Sequence, residues 1–131
     1  MCNLTKKSRA KSKTGWKIVA VNKKGNYYSL AMGCKYPKNG RVPVVREQKQ
    51  ISNDFVNDIL TGSMSGYCEE MVGRTAIFLV KGAAQYEIRR CTNCILGYTV
   101  EIKKAIISDD IMLGNYGWEE VAAGRHIKFL E

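Results

Sequence analysis

No stretch of this sequence approaches the ~18 consecutive apolar residues that a membrane-spanning helix needs. Residues 1–15 also lack the apolar segment of a secretory signal, so the expected location is cytoplasmic. Histidine occurs once, at His126, and no Ser, His and Asp fall into a pattern suggesting a catalytic triad. No glycine pattern matches a P-loop or a dinucleotide-binding turn. The usual signatures of nucleotide-dependent catalysis and of serine-type hydrolysis are therefore missing. The five cysteines are an odd number and no export signal accompanies them, which argues for thiols rather than a disulfide framework.

Negative charge is missing from the front of the chain. Lys6, Lys7, Arg9, Lys11, Lys13 and Lys17 meet no acid through residue 17, so they carry six of the nine net positive charges. The rest of the chain is mildly basic. Attraction to a polyanion should then rest on this leader as much as on a folded surface. Residues 1–14 alternate Lys or Arg with Ser, Thr and Ala and present no periodic apolar face to offset ordering entropy. They are expected to form a flexible basic arm ahead of a single domain over 15–131.

The domain's texture is that of strands with one or two helices. In WKIVAVN, Trp16, Ile18 and Ala20 alternate with Lys17, Val19 and Val21. KKGN then supplies a turn with Gly25 suited to positive φ, and YYSLAM resumes, which predicts a β-hairpin. RVPVVRE predicts a third strand, at an edge because Pro43 has no N–H to donate. Ser52 or Asn53 can cap a short helix carrying Phe55, Val56, Ile59 and Leu60 and stopped by Gly62. TAIFLV reads as a central strand buried on both faces. KGAAQYEIRRCTN reads as a helix with Ala83, Ala84, Ile88 and Cys91 inward and Lys81, Glu87, Arg89 and Arg90 outward. YTVEIKKAII and RHIKFLE read as later strands, with a loop between them. The expected fold class is α+β, a mixed and mainly antiparallel sheet with one or two packed helices.

Three constellations could carry chemistry. Cys91 and Cys94 have C-x-x-C spacing, which suits zinc or a redox couple, but the other candidate ligands, Cys2, Cys34, Cys68 and His126, form no second close pair. Cys2 could be a terminal nucleophile after removal of Met1, but such chemistry needs a rigid site around it. The third is a run of aromatics among cations: Trp16, Tyr27, Tyr28 and Tyr36 with Lys17, Lys23, Lys24, Lys35, Lys38 and Arg41. Bases stack on aromatic faces while cations hold phosphates, which is how single strands and nucleotides are bound. The expected anion-binding residues are Lys6, Lys7, Arg9, Lys11, Lys13, Trp16, Lys23, Lys24, Tyr28, Arg74, Arg89 and Arg90. No catalytic residue, metal or cofactor is expected.

GRTAIFLVKGAAQYEIRR, followed by YTVEIKKAI and GRHIKFLE, with the opening GWKIVAVNKKGNYYSLAM, resembles small uncharacterised phage and prophage proteins. The pattern G-x-T-x-x-F followed by the helix segment from Ala83 to Tyr86 is also faintly similar to ADP-ribosyltransferase-like folds. The Ser-Thr-Ser and catalytic Glu elements of that superfamily have no counterpart. The resemblance therefore implies a nucleotide-shaped pocket without transfer chemistry. Together these likenesses imply a non-enzymatic phage-type accessory protein, of the counter-defence kind, acting in the host cytoplasm. Its partner would be a nucleotide or nucleic acid; the alternative is a host defence protein bound directly through a basic surface. No membrane is involved, and a homo-oligomer is left open.

Overall fold

The structure, a computed structural model, describes residues 2–30, 34–44, 69–89 and 97–130. Nine strands follow in chain order: β1 (Cys2–Lys7), β2 (Ser12–Asn22), β3 (Tyr27–Tyr28), β4 (Asn39–Arg41), β5 (Thr75–Phe78), β6 (Tyr98–Ser108), β7 (Met112–Tyr116), β8 (Glu119–Gly124) and β9 (His126–Phe129). A 3-10 turn (Glu69–Met71) precedes β5, and a nine-residue helix, α1 (Lys81–Arg89), follows it. All the strands belong to one sheet in the order β1-β7-β8-β5-β2-β6-β9-β4, with β3 attached to β2. Every pairing is antiparallel.

The expected α+β class with packed helices is thus corrected: among the described residues this is a mainly antiparallel sheet with one short helix. No helix among them is long and apolar enough to cross a membrane. The helix foreseen over residues 52–61 lies outside the described residues.

The two longest strands show why the chain folds this way. β2 and β6 pair without a break from Ser12↔Ser108 to Asn22↔Tyr98, and the two-residue period sends alternate side chains to opposite faces. Val19, Ala105 and Ile107 face one core with Ile77, Ile111 and Ile127; of these, the valine and the isoleucines are among the largest fully buried side chains. Removing each such side chain from water stabilises the fold by roughly 1.5–3 kcal/mol. Ile18 and Ala20 face the other way, toward Leu30 and Ala84 of α1. The hairpin turn forms as its sequence predicts, with Gly25 at φ +80 and Asn22 Oδ1 accepting from the Lys24 and Asn26 backbone N–H groups.

β8 and β9 are one strand interrupted at Arg125. β8 pairs with β5 and β9 with β6, and both β5 and β6 pair with β2. Chain continuity through Arg125 therefore bends the sheet into a barrel-like ring. The Arg125 N–H donates to Asp109 O at 3.0 Å beside the crossover.

Three further expectations change. The leader is not a loose arm: β1 pairs with β7, and residues 12–14 belong to β2. Buried Leu4 anchors β1 against Met112 and Val121, an apolar contact hidden among cations in the sequence. Of the strand expected from RVPVVRE, Arg41 alone is in a strand, as the last residue of β4, which pairs with β9; Pro43 lies beyond it, and residues 45–47 are outside the described ones. Glu87 is buried rather than outward, because it stands three and four residues after Ala84 and Ala83, on the same helical stripe.

Candidate nucleic-acid interface

The outer face of the β2–β6–β9–β4 sheet is divided in two. Helix α1 covers the half that carries Ile18, Ala20, Val100 and Ile102. No described helix packs on the other half, called the bare half below, and register aligns its residues in rows across the strands. Arg41, His126, Ser108 and Ser12 form one row; Asn39, Lys128, Ile106 and Thr14 form the next; Lys104 and Trp16 form the third. Neighbours in such rows have Cβ atoms about 4.5–5.5 Å apart. Arg41, Lys104 and Lys128 are exposed, while Trp16 and His126 are half-buried.

These rows contain no carboxylate. The nearest described acid is Asp109 of the β6–β7 turn, whose Oδ2 lies 3.6 Å from Arg41 Nη1. Both members of that pair are largely exposed, so it contributes little. Lys104 Nζ stands 5.9 Å from the Trp16 ring centroid, at the border between the bare half and the covered half.

The leader adds to this surface because it is anchored. Ser8 N–H donates to Ile111 O at 2.9 Å and Ala10 N–H to Ser8 Oγ at 3.1 Å, so exposed Arg9 and Lys11 enter β2 beside the Ser12–Ser108 row.

The other expected site residues are scattered. Lys6 and Lys7 are exposed on β1 beside β7, where the Lys7 charge reaches Asp110. Lys13 is partly buried on the inner side of β2, opposite Ile107. Lys23 and Lys24 occupy the β2–β3 turn, about 33 Å from Ser12 at ~3.3 Å per residue. Tyr28 packs edge-on against Tyr98 with centroids 5.5 Å apart, and its hydroxyl accepts from Asn22 Nδ2. Arg89 is exposed at the end of α1, and Arg90 lies outside the described residues.

Arg74 is no ligand group. It is buried, and it donates through Nε to Asp110 O at 2.9 Å, through Nη1 to Glu70 O at 2.7 Å and through Nη2 to Asp110 Oδ2 at 2.5 Å. Arg125 Nε donates to the same Oδ2 at 3.0 Å. The Arg125 hydrogen bond, helped by the charges of Arg74 and Lys7, holds the Asp110 carboxyl below its ordinary range.

The inner-face cations are also engaged. Lys17 Nζ donates to Ala76 O at 2.8 Å and lies 5.4 Å from the Tyr36 centroid. Lys38 Nζ sits 3.0 Å from the Tyr27 centroid and donates to Gly25 O. Lys103 pairs with Glu101 at 3.3 Å. Tyr27 and Tyr36 are core residues against Phe129, and Trp16, half-buried against the Ile18–Ala84 cluster, is the one of the four aromatics that borders the bare half.

Cys34 is a free thiol pushed above its ordinary pKa by burial, against the pull of Lys17. That environment suits a structural thiol rather than a nucleophile. Cys68, Cys91 and Cys94 lie outside the described residues, and no group of three potential metal ligands occurs among the described ones.

Of the residues expected from the sequence, Trp16 borders this face, whereas Lys104, Lys128 and His126, which form its rows, were not among them. The alternation of β6 and β9 was the available signal, since it sets Lys104 opposite in facing to Lys103, and Lys128 opposite to Ile127. Compared with protein-family models, curated proteins and solved structures, the chain matches none.

Proposed function

We propose that this protein is a non-enzymatic binder of single-stranded nucleic acid, which lies across the bare half of the β2–β6–β9–β4 face. One observation carries the reading: Lys104 stands beside Trp16, and Lys128 and Arg41 follow in the next two rows of a sheet surface whose rows hold no carboxylate. Exposed Arg9 and Lys11 add positive charge beside the Ser12–Ser108 row. Cations in this arrangement would hold phosphates, while the Trp16 ring offers a stacking platform worth about 1–3 kcal/mol per base. A base stacked there would displace Lys104 from the ring and free it for the neighbouring phosphate. The resemblance to phage proteins supplies the setting for this binding, an accessory role in a host cell.

The test is anisotropy of a labelled oligothymidylate of about twelve nucleotides, long enough to span one sheet face, titrated at several salt concentrations. Three to five phosphate contacts predict a log–log salt slope between about −2 and −3.5, at ~0.7 per contact. Trp118→Phe removes the other tryptophan, so quenching on binding then reports Trp16 alone. An affinity indifferent to salt, or a Trp16 emission that ignores bound oligonucleotide, would defeat the reading. Retention of a host protein on the column after nuclease treatment, with no oligonucleotide binding, would instead favour direct docking onto an acidic partner.

A further inference from the structure

A second binding feature lies in the seam between β2 and β5, away from the bare face. The two strands run antiparallel but pair at a single position, Trp16↔Phe78. Gly15 explains where they touch. A Cβ at that residue would come 2.3 Å from Phe78 O and 2.8 Å from Ile77 Cδ1, so the backbones meet there at a distance open to glycine alone. Beyond Trp16 the strands part. The Ala76 carbonyl is met there by the Lys17 ammonium, at 2.8 Å.

The opening encloses about 130 Å³, smaller than a drug-sized site and close to what a single-ring fragment fills. Its walls are apolar, with Ile18, Leu30, Ile77, Phe78 and Val121 prominent. Lys17 supplies its cation. One of its three donors serves Ala76 O, and among the described residues no carboxylate forms a salt bridge with it. Lys103, directly opposite Lys17 in register, turns instead to Glu101. The hydroxyl of Tyr36, also in the lining, shares a 3.0 Å hydrogen bond with Thr75 Oγ1, so the cation rests on a fixed ring.

We infer that the β2–β5 seam is a site for a small organic acid, with an apolar body in the cleft and a carboxylate on Lys17. An apolar wall with one half-buried ammonium selects for that chemistry. A neutral apolar molecule leaves the cation without a counter-charge, and a fully ionic one wastes the walls. The site is independent of the oligonucleotide surface, which uses other cations on the outer face.

Phenylacetate is the probe and phenethyl alcohol its uncharged control, each titrated into the isotope-labelled full chain and followed by amide shifts. Phenylacetate should bind with a dissociation constant on the order of millimolar, as suits a fragment of about ten heavy atoms. Its shifts should centre on Lys17, Ser29 and Ile77, and it should bind at least about fivefold more tightly than the alcohol. Lys17→Met keeps the stem and removes the charge, and should abolish that preference. Equal binding of acid and alcohol to the wild-type protein overturns the inference whether or not the variant folds. So does the absence of binding by either compound. Shifts centred on Lys104 and Lys128 would assign the acid to the outer face and refute the seam site.

Discussion

Arginine and lysine do two opposite jobs in this molecule. At the β6–β7 turn, Arg74 and Arg125 converge on one carboxylate and on backbone carbonyls. On the bare outer face, Arg41, Lys104 and Lys128 reach into solvent, and Asp109 is the one described acid within 4 Å of any of them. The clamp holds two turns and a strand crossover together; the face contributes almost nothing to the fold. Net charge alone does not distinguish them, because the sorting depends on burial and on which acceptors lie within reach. A cation already saturated with acceptors is structure, and one left without them is available to a ligand.

The sharpest way to break this contrast is to remove Arg74. Arg74→Met leaves the Glu70 and Asp110 carbonyls without this donor and takes one of two guanidinium partners from the Asp110 carboxylate. It should cost about 2 kcal/mol of stability in urea denaturation, as for buried acceptors left without their donor. Oligonucleotide affinity, measured where the variant is folded, should not change. A loss under about 1 kcal/mol would mean that the clamp is decorative.

The converse is the triple change Arg41→Gln, Lys104→Gln and Lys128→Gln. Stability should move by no more than about 0.5 kcal/mol per site. The salt slope of oligonucleotide binding should fall by about 2, with a corresponding loss of affinity at low salt. An unchanged slope would leave the face without a function.

A smaller effect separates the two regions by pH. The Asp110 carboxyl is held below its usual value in the folded protein, so its stabilising contribution is complete above the unfolded value of about 4. It is lost as pH falls through the lower folded value. Because Asp110 is about one-third exposed, screening limits this to under about 1 kcal/mol. Asp110→Asn, which tolerates the left-handed φ of 54, should be less stable than wild type at pH 7 and approach it below pH ~3. A gap between the two urea midpoints that stays constant with pH would show that the charge is not what matters.

The smallest effect concerns Cys34. Its raised pKa predicts alkylation at pH 7 several-fold slower than for an exposed thiol, and slower again in Lys17→Met, which removes the charge that favours thiolate. Peptide mass spectrometry of the labelled protein reads both rates.

Where period and turn chemistry were local, the sequence was readable. The alternation in β2, the Gly25 turn, the long β6, the β9 strand and the core of α1 all follow from neighbouring residues. β1 was missed because Leu4 is a lone apolar side chain among exposed neighbours, as befits an edge strand beside β7. β7 and β8 were read as a loop because Gly114, Ala122, Ala123 and Gly124 have poor strand propensity. Those positions need small side chains: a Cβ at Gly114 would collide with the backbone at Asn3. The outer face was legible in part. Trp16 was among the expected residues, whereas Arg41, Lys104 and Lys128 meet through cross-strand register, which no local pattern specifies.

The single residue between β8 and β9 also has a kinetic meaning. Since the ring shuts when His126–Phe129 docks on β6, the first half of the sheet must wait for partners about a hundred positions downstream in the chain. Such distant pairings make slow folding the expectation, on the millisecond-to-second scale, and during translation the growing chain would keep an open seam until residue 129 had left the ribosome.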